Sequence, residues 1–405
     1  MRRAGVRSSG IALGTLFFAR AVYAFNWYDI GAVLPLVRRG WGTGSTELVI
    51  VLAVFLLGTG IFQLPAAFVA MRLGNRSTAI TGLAVMATFT LASAVSPNWI
   101  FLAATRFGAG AGAAFFFAPA LGLATSYYPA GTRGPVIGIF NAGFSLGSGI
   151  SLIAGALVGL AIGWHWALAL GGFLLVAGTA AAVLLLPRVS NEGSPSRVGD
   201  LWRASVPVLR SRPLWALALG TSGLWAAFYV AAQAFPLYAS QAHPVWGLAL
   251  IDAIPTAMIF AEIPGGPIGG WIGERRGELR WTLVLWGTLT GAIIVTVPYF
   301  SLDQSWAAFL LLGFADGAVF AVLYLIPTYL PRIGRSEFAL ALALLNSIQI
   351  FVGSGFAVVF ALVAQRAGYF DAWLLTATFA VSLLPLLAWV PRSRGSAAHP
   401  GGAAD

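Results

Sequence analysis

Twelve apolar runs of about twenty residues follow one another along this chain with only short connections between them. They fall near 11–36, 46–70, 77–96, 99–127, 135–159, 165–187, 213–238, 245–270, 281–299, 305–328, 338–363 and 370–390. A bilayer core of roughly 30 Å needs about 20 apolar residues per helix, so this pattern predicts a polytopic all-α membrane protein of about twelve transmembrane helices. The 405 residues, 59% hydrophobic and 9% charged, leave no room for a large soluble domain. The first run is followed by Arg38 and Arg39 instead of a small-residue cleavage site, and is read as a retained helix.

A net charge of +10 would suit a nucleic-acid partner, but the placement of the basic residues points elsewhere. All 23 are arginine; eighteen fall on one side of the expected topology, three (Arg38, Arg39, Arg366) on the other, and two (Arg20, Arg106) within spans. By the positive-inside rule the arginine-rich side is cytoplasmic, so both termini are expected in the cytoplasm of a plasma-membrane protein. No nucleic acid is expected as a partner. With no cysteine there is no disulfide or thiolate chemistry, and three scattered histidines give no metal site. No cofactor is expected, and no nucleophile and base stand at a spacing that suggests an enzyme. "GAGAGA" at 108–113 lacks the strand and Lys-Ser/Thr pair of a phosphate loop, so Gly108 and Gly112 read as close-packing positions.

The only long polar stretch, 188–212, separates an expected six-helix unit at 1–187 from a second at 213–391, with a polar tail at 392–405. Punctuation repeats across it. Gly74 and Gly277 are 203 positions apart, while Pro129 and Pro331, and Arg133 and Arg335, are each 202 apart. A matching offset argues for two halves of similar fold.

These connections resemble those of the major facilitator superfamily of secondary transporters, whose loop after the second helix reads Gly-x-Leu-Ala-Asp-Arg-x-Gly-Arg-Arg. The second-half copy keeps Gly270, Ile272, Glu274, Arg275 and Gly277. The first keeps Arg72, Gly74 and Arg76, with Met71 at the acid's place and Ala67 at the first glycine's. The fourth span, "RFGAGAGAAFFFAPA" (106–120), is similar to the family's Arg-x-x-x-Gly-x-Gly pattern. In the fifth, Gly143 and Gly147 match the start of the antiporter pattern, where Ser148 replaces the proline and Ser151 and Leu152 the glycine pair. The resemblance implies two pseudo-symmetric six-helix bundles that rock about a central site, and it implies gating by those loop residues.

A charge at the bilayer centre costs about 2.5–3.5 kcal/mol or more, so intramembrane charges are functional candidates. Counting along the helices, Asp29, Arg106 and Asp252 lie about 10 Å from the outer surface, Arg20 and Glu262 lie toward the cytoplasm, and Asp316 is near the midplane. Asp29 and Arg106 share a depth and form either a structural ion pair or a proton-linked switch. Asp316, in "LLGFADGAVFAVLYLIP" with no basic neighbour on its helix, is either a proton acceptor or a hydrogen-bonded packing residue. Arg20 either pairs with Glu262 or anchors an anionic substrate with its five-donor fork. Arg20, Tyr23 and Trp27 share one helical stripe and Asn26 and Asp29 another, and one of the two is expected to pack against protein. Asn26, Asn141, Gln233, Asn346 and Gln349, with the aromatics Trp225 and Tyr229, are candidates for the solute path; bridging between helices is the alternative for the amides.

Together these residues point to gradient-driven transport of a small organic solute, leaning to an organic anion, coupled to protons through Asp316 or the Asp29 and Arg106 pair. The chain is expected to act as a monomer in the lipid bilayer. A drug exporter is the rival within the class, and a sensor built on a transporter fold is the rival outside it.

Overall fold

The computed structural model describes residues 6–128, 133–188, 205–276, 279–330 and 335–391. These are almost entirely helical, with no strand among them. With no water in hydrocarbon to satisfy N–H and C=O groups, a chain of such apolar runs closes its backbone hydrogen bonds within each segment.

The first half holds α1 (Val6–Trp41), α2 (Ser45–Leu73), α3 (Asn75–Ala94), α4 (Trp99–Ser126), α5 (Arg133–Ile162) and α6 (Trp164–Leu185). The second holds α7 (Arg212–Gln233), α8 (Leu248–Arg276), α9 (Leu279–Ile294), α10 (Leu302–Leu325), α11 (Arg335–Arg366) and α12 (Tyr369–Ser382). Among the described residues eleven helical spans meet the length and hydropathy of a membrane crossing; the 36-residue α1, which carries Arg20 and Asp29, is not one of the eleven and packs against α5 and α6. The expected run at 213–238 is not one straight helix. It breaks at Ala234 and resumes as a short helix, Phe235–Ala242, because Pro236 can neither donate to nor fit beside the carbonyl four residues back. The ninth and twelfth runs likewise finish in 3₁₀ turns, at Val297–Tyr299 and Leu384–Trp389.

The packing repeats as the connections do. In the first half α1 packs on α5 and α6, α2 on α4, and α3 on α4 and α6; in the second, α7 packs on α11 and α12, α8 on α10, and α9 on α10 and α12. Close approach is made by glycine, as expected where van der Waals packing, not water, drives association. A methyl group at Gly110 would collide with the carbonyl of Phe55, and one at Gly313 with that of Met258, both partners displaced by 203 positions. The tight α5–α6 and α11–α12 connections turn at Gly163 and Gly368, with φ of 101° and 100°, a region that side-chain-bearing residues avoid.

The halves meet along two seams, α2 with α11 and α5 with α8, and α1 packs on the short helix after α7. Polar bonds tie the seams at the Trp41 end and in the middle. Thr46 Oγ1 donates to Gln365 Oε1 (2.8 Å), Gln233 Nε2 to the Trp27 carbonyl (2.5 Å), Tyr229 Oη to that of Leu52 (3.4 Å), and Ser347 Oγ to that of Gly60 (2.8 Å).

Candidate functional site

The centre of the site is Arg20 on α1. Its side chain is 7% exposed, and its guanidinium carbon lies 4.7 Å from the ring centre of Tyr23, 4.5 Å from Phe117, 5.2 Å from Phe140 and 4.5 Å from Phe144. Its Nε and Nη1 have no hydrogen-bond partner. Arg20 forms no ion pair with a described residue; the expected alternative of a bridge to Glu262 is not made. The ring faces offset part of the cost of removing the cation from water. Tyr23 also hydrogen-bonds the guanidinium, and Nε and Nη1 are left without a partner among the described residues.

The box is built by local geometry. Tyr23 and Trp27 follow Arg20 on one stripe of α1, their rings 5.7 Å apart, and Tyr23 lies 5.0 Å from Phe116 of α4. Phe144 of α5 lies 5.9 Å from Trp27 and 6.1 Å from Tyr28. The other stripe packs inward. Asn26 donates to Val22 O (2.8 Å) and, across to α6, to Gly171 O (3.1 Å).

Asp29 and Arg106 are both fully buried and form an ion pair of 3.0 Å. Asp29 Oδ1 also accepts from the Ile30 amide (2.7 Å), while Arg106 donates to the Asn26 carbonyl (2.9 Å) and lies 4.6 Å over Phe55. Every partner belongs to the first half. Gly171 makes room for this cluster: a Cβ there would meet Asn26 Oδ1 at 2.7 Å and Asp29 Oδ2 at 3.0 Å.

Glu262 and Asp316 are brought together by the close crossing of α8 and α10, where a side chain on Gly317 would strike the backbone of Glu262. Glu262 Oε2 accepts from Ser145 of α5 (3.3 Å), whereas Glu262 Oε1 and Asp316 Oδ2 are buried without partners. Tyr28 lies within electrostatic reach of Arg20, Glu262 and Asp316, and Tyr324 within reach of Arg20 and Asp316. The middle of the protein therefore gathers a buried cation from the first half and two carboxyl groups from the second, with the phenols of Tyr28 and Tyr324 within electrostatic reach of Arg20 and Asp316.

The remaining candidates divide. Asn346 accepts from Tyr324 Oη (3.1 Å), a phenol within electrostatic reach of Arg20 and Asp316. Gln349 donates to Thr221 (2.7 Å) within the second half, a bridge between helices. Trp225 and Tyr229 stack at 5.4 Å, and Asn141 is half-buried on α5. Asp252 is fully buried with both carboxyl oxygens unpartnered, one turn before Thr256, whose hydroxyl reaches Gly149 of α5 (3.3 Å). It is apart from Arg20, on the α5–α8 seam.

Of the loop motif, Arg72 is exposed and Gly74 turns the chain between α2 and α3 with φ of 85°. Arg76 donates to the carbonyls of Leu186 (3.0 Å) and Val183 (2.7 Å), tying α3 to the end of α6. Arg280 makes the corresponding bonds to Ala388 (3.2 Å) and Val390 (3.5 Å) after α12, 204 positions later. Gly270, Glu274 and Arg275 lie in α8, while their side chains and all of Gly277 lie outside the described residues.

A family model for the Major Facilitator Superfamily matches residues 16–325. The chain belongs to this superfamily. Among curated relatives it is similar to the hexuronate transporter of Escherichia coli (strain K12), 25% identical over 93% of this chain and 91% of that one. It also matches the gallate transporter of Pseudomonas putida, 24% identical over 70% of each chain, and a probable L-galactonate transporter of Escherichia coli (strain K12), 26% identical over 53% of this chain. The chain spans 50% of the length of that last relative. A crystal structure of a bacterial homolog of the human lysosomal transporter Spinster, inward-facing and unoccupied, superposes with a TM-score of 0.75 at 16% identity, covering 98% of this chain and all of that one. The superfamily fold expected from the loop residues is thus the one observed. Sequence reasoning missed Tyr28, Phe117, Phe140, Phe144, Ser145 and Tyr324, because aromatics and serines are unremarked in an apolar helix until their neighbours are known.

Proposed function

We propose that this chain is a proton-coupled secondary transporter of small organic anions, working by alternating access between its two halves. The observation that carries the proposal is Arg20, a buried arginine in a four-ring box with two nitrogens unbonded and no carboxylate partner among the described residues. A solute carboxylate would complete it with charge-assisted bonds, and the rings would pack on an apolar or sugar-like body. The relatives named for gallate, hexuronate and galactonate all act on carboxylates, which supports this class.

Glu262 and Asp316 are the proposed proton carriers. If both were ionised they would repel an anion held at Arg20, so solute and proton favour each other's presence in one cavity. Asp29 and Arg106 then act structurally, keeping α1 fixed to α4. Trp27, Asn346 and Tyr324 border the solute, and the Arg76 and Arg280 clamps keep each half rigid while it rocks. The bundles are 1–187 and 213–391, joined by 188–212, and the protein acts as a plasma-membrane monomer with cytoplasmic termini.

The experiment is proton movement in proteoliposomes enclosing a pH dye, challenged with pools of aromatic acids, sugar acids, neutral sugars and cationic drugs. Proton flux with an acid pool, lost in Arg20→Gln and Asp316→Asn, is expected. Flux with the cation pool alone would instead favour drug export, a reading to which the paired carboxyls Glu262 and Asp316 lend weight.

A further inference from the structure

A second arginine stands on the same face of α1. Arg38 follows Arg20 by eighteen residues, five full helical turns, which places it about 27 Å further along the axis. It lines a separate cavity of about 270 Å³ at the Trp41 end, between the two halves. The walls combine an apolar floor, including Val49, Leu237 and Phe360, with Gln241, Gln365 and Tyr369. No carboxylate lines it; Glu47, whose carboxylate lies near Gly44 at the rim, forms no ion pair with Arg38. The half-buried Arg38 side chain has no hydrogen bond or ion pair with a described residue. Gln241, by contrast, is held in place by bonds to Leu237 O (3.0 Å) and Tyr369 Oη (2.8 Å), and Gln365 accepts from Thr46.

Between the two arginines, on the same helix, lies a polar contact between the halves. Gln233 bonds the Trp27 carbonyl and its side chain occupies the space over Gly31. One helix therefore carries a cation on each side of this contact, and each cation stands among apolar and aromatic groups.

The geometry points to a second binding site for the transported organic acid, at Arg38, on the far side of this contact from Arg20, with the contact serving as the gate between them. The carboxylate would sit on the Arg38 guanidinium with the Gln365 amide as a further donor, and the body of the acid on Val49, Leu237 and Phe360. A single small monocarboxylate suits the volume. The gate then opens between two stations of like chemistry, so an anion leaves one arginine for another and not for bare hydrocarbon. This inference rests on the reading of Arg20 as a carboxylate anchor.

The test is equilibrium binding of radiolabelled 4-hydroxybenzoate and galacturonate to the full chain in lipid nanodiscs, for wild type, Arg20→Gln, Arg38→Gln and Arg38→Lys. Two saturable sites per chain are expected for the acid that binds. One should weaken roughly tenfold or more in Arg38→Gln and the other in Arg20→Gln, as for loss of a charge-assisted bond. Arg38→Lys keeps the charge and should keep a weakened second site, which separates loss of the cation from misfolding. A single site lost in Arg20→Gln and untouched by either Arg38 variant would overturn the second station and leave the anchor standing. A single site lost only in Arg38→Gln would sink the Arg20 reading and keep the site at Arg38. Absence of saturable binding for both acids would overturn both.

Discussion

Gln233 of α7 joins the two halves through one hydrogen bond to the Trp27 carbonyl, and Gly31, one turn further along α1, is the residue whose missing side chain lets it lie there. A polar bond between membrane helices averages about 0.6 kcal/mol, so Gln233→Leu should raise the population open at the Trp41 end about threefold. The chain has no cysteine, so labels placed by Arg39→Cys and Val245→Cys report that opening directly as a distance distribution. An unchanged distribution would show that this bond does not hold the gate.

At Arg20, the charge and the planar fork are separable. Losing a charge-assisted bond costs about 2–3 kcal/mol, so Arg20→Gln should raise KM for acid uptake by about thirtyfold or more, and Arg20→Lys by less. Equal KM in all three proteins would remove Arg20 from the solute site.

The Asp29 and Arg106 pair should behave as structure. Breaking a buried pair by removing one partner costs about 3–5 kcal/mol, whereas replacing both by apolar residues is often neutral. Asp29→Asn should therefore lower the thermal unfolding midpoint markedly, and Asp29→Leu combined with Arg106→Met should recover most of it. A double variant that is stable yet inactive in uptake would return the pair to a coupling role.

Gly171→Ala should disturb the same cluster from the opposite side. Its new methyl group would press on Asn26 Oδ1 and Asp29 Oδ2, on side chains that the bonds of Asn26 Nδ2 to Gly171 and Asp29 Oδ1 to Arg106 hold in place. Overpacking of this kind costs typically about 1–3 kcal/mol. The loss of stability should be smaller in the background lacking Asp29 and Arg106, and an equal loss in both would argue against the contact.

Asp316→Asn separates exchange from coupling. The variant should still exchange labelled for unlabelled acid across the membrane, and should no longer accumulate acid when a pH gradient is imposed. Full accumulation would leave proton carriage to another group.

Much of the architecture was legible because the bilayer is a strict solvent. Apolar run lengths marked the helices, and equal depth along α1 and α4 was enough to pair Asp29 with Arg106. The two stripes of α1 were visible as periodicity, but which one faced the cavity depended on α6, whose Gly171 takes the Asn26 amide. The aromatic box was not legible, since Phe117 and Phe144 come from different helices and a phenylalanine in a membrane span carries no signal of its own. Glu262 and Asp316 were each visible as charges. Their proximity was not, because it depends on Gly317 allowing α10 to lie against the backbone of α8.

The frame repeats at about 203 positions, but the charges within the membrane do not. Thr59 and Ala113 stand 203 positions before Glu262 and Asp316, and Ala232 and Phe309 stand the same distance after Asp29 and Arg106. Two copies of the first half would surround one cavity with a pair of Arg20 cations, and two copies of the second with four carboxyls. Either assembly would keep the packing surfaces and push itself apart at the centre. Unlike halves fused in one chain escape this self-repulsion, and the opposite charges they bring to the cavity can balance each other with a small acid and a proton between them.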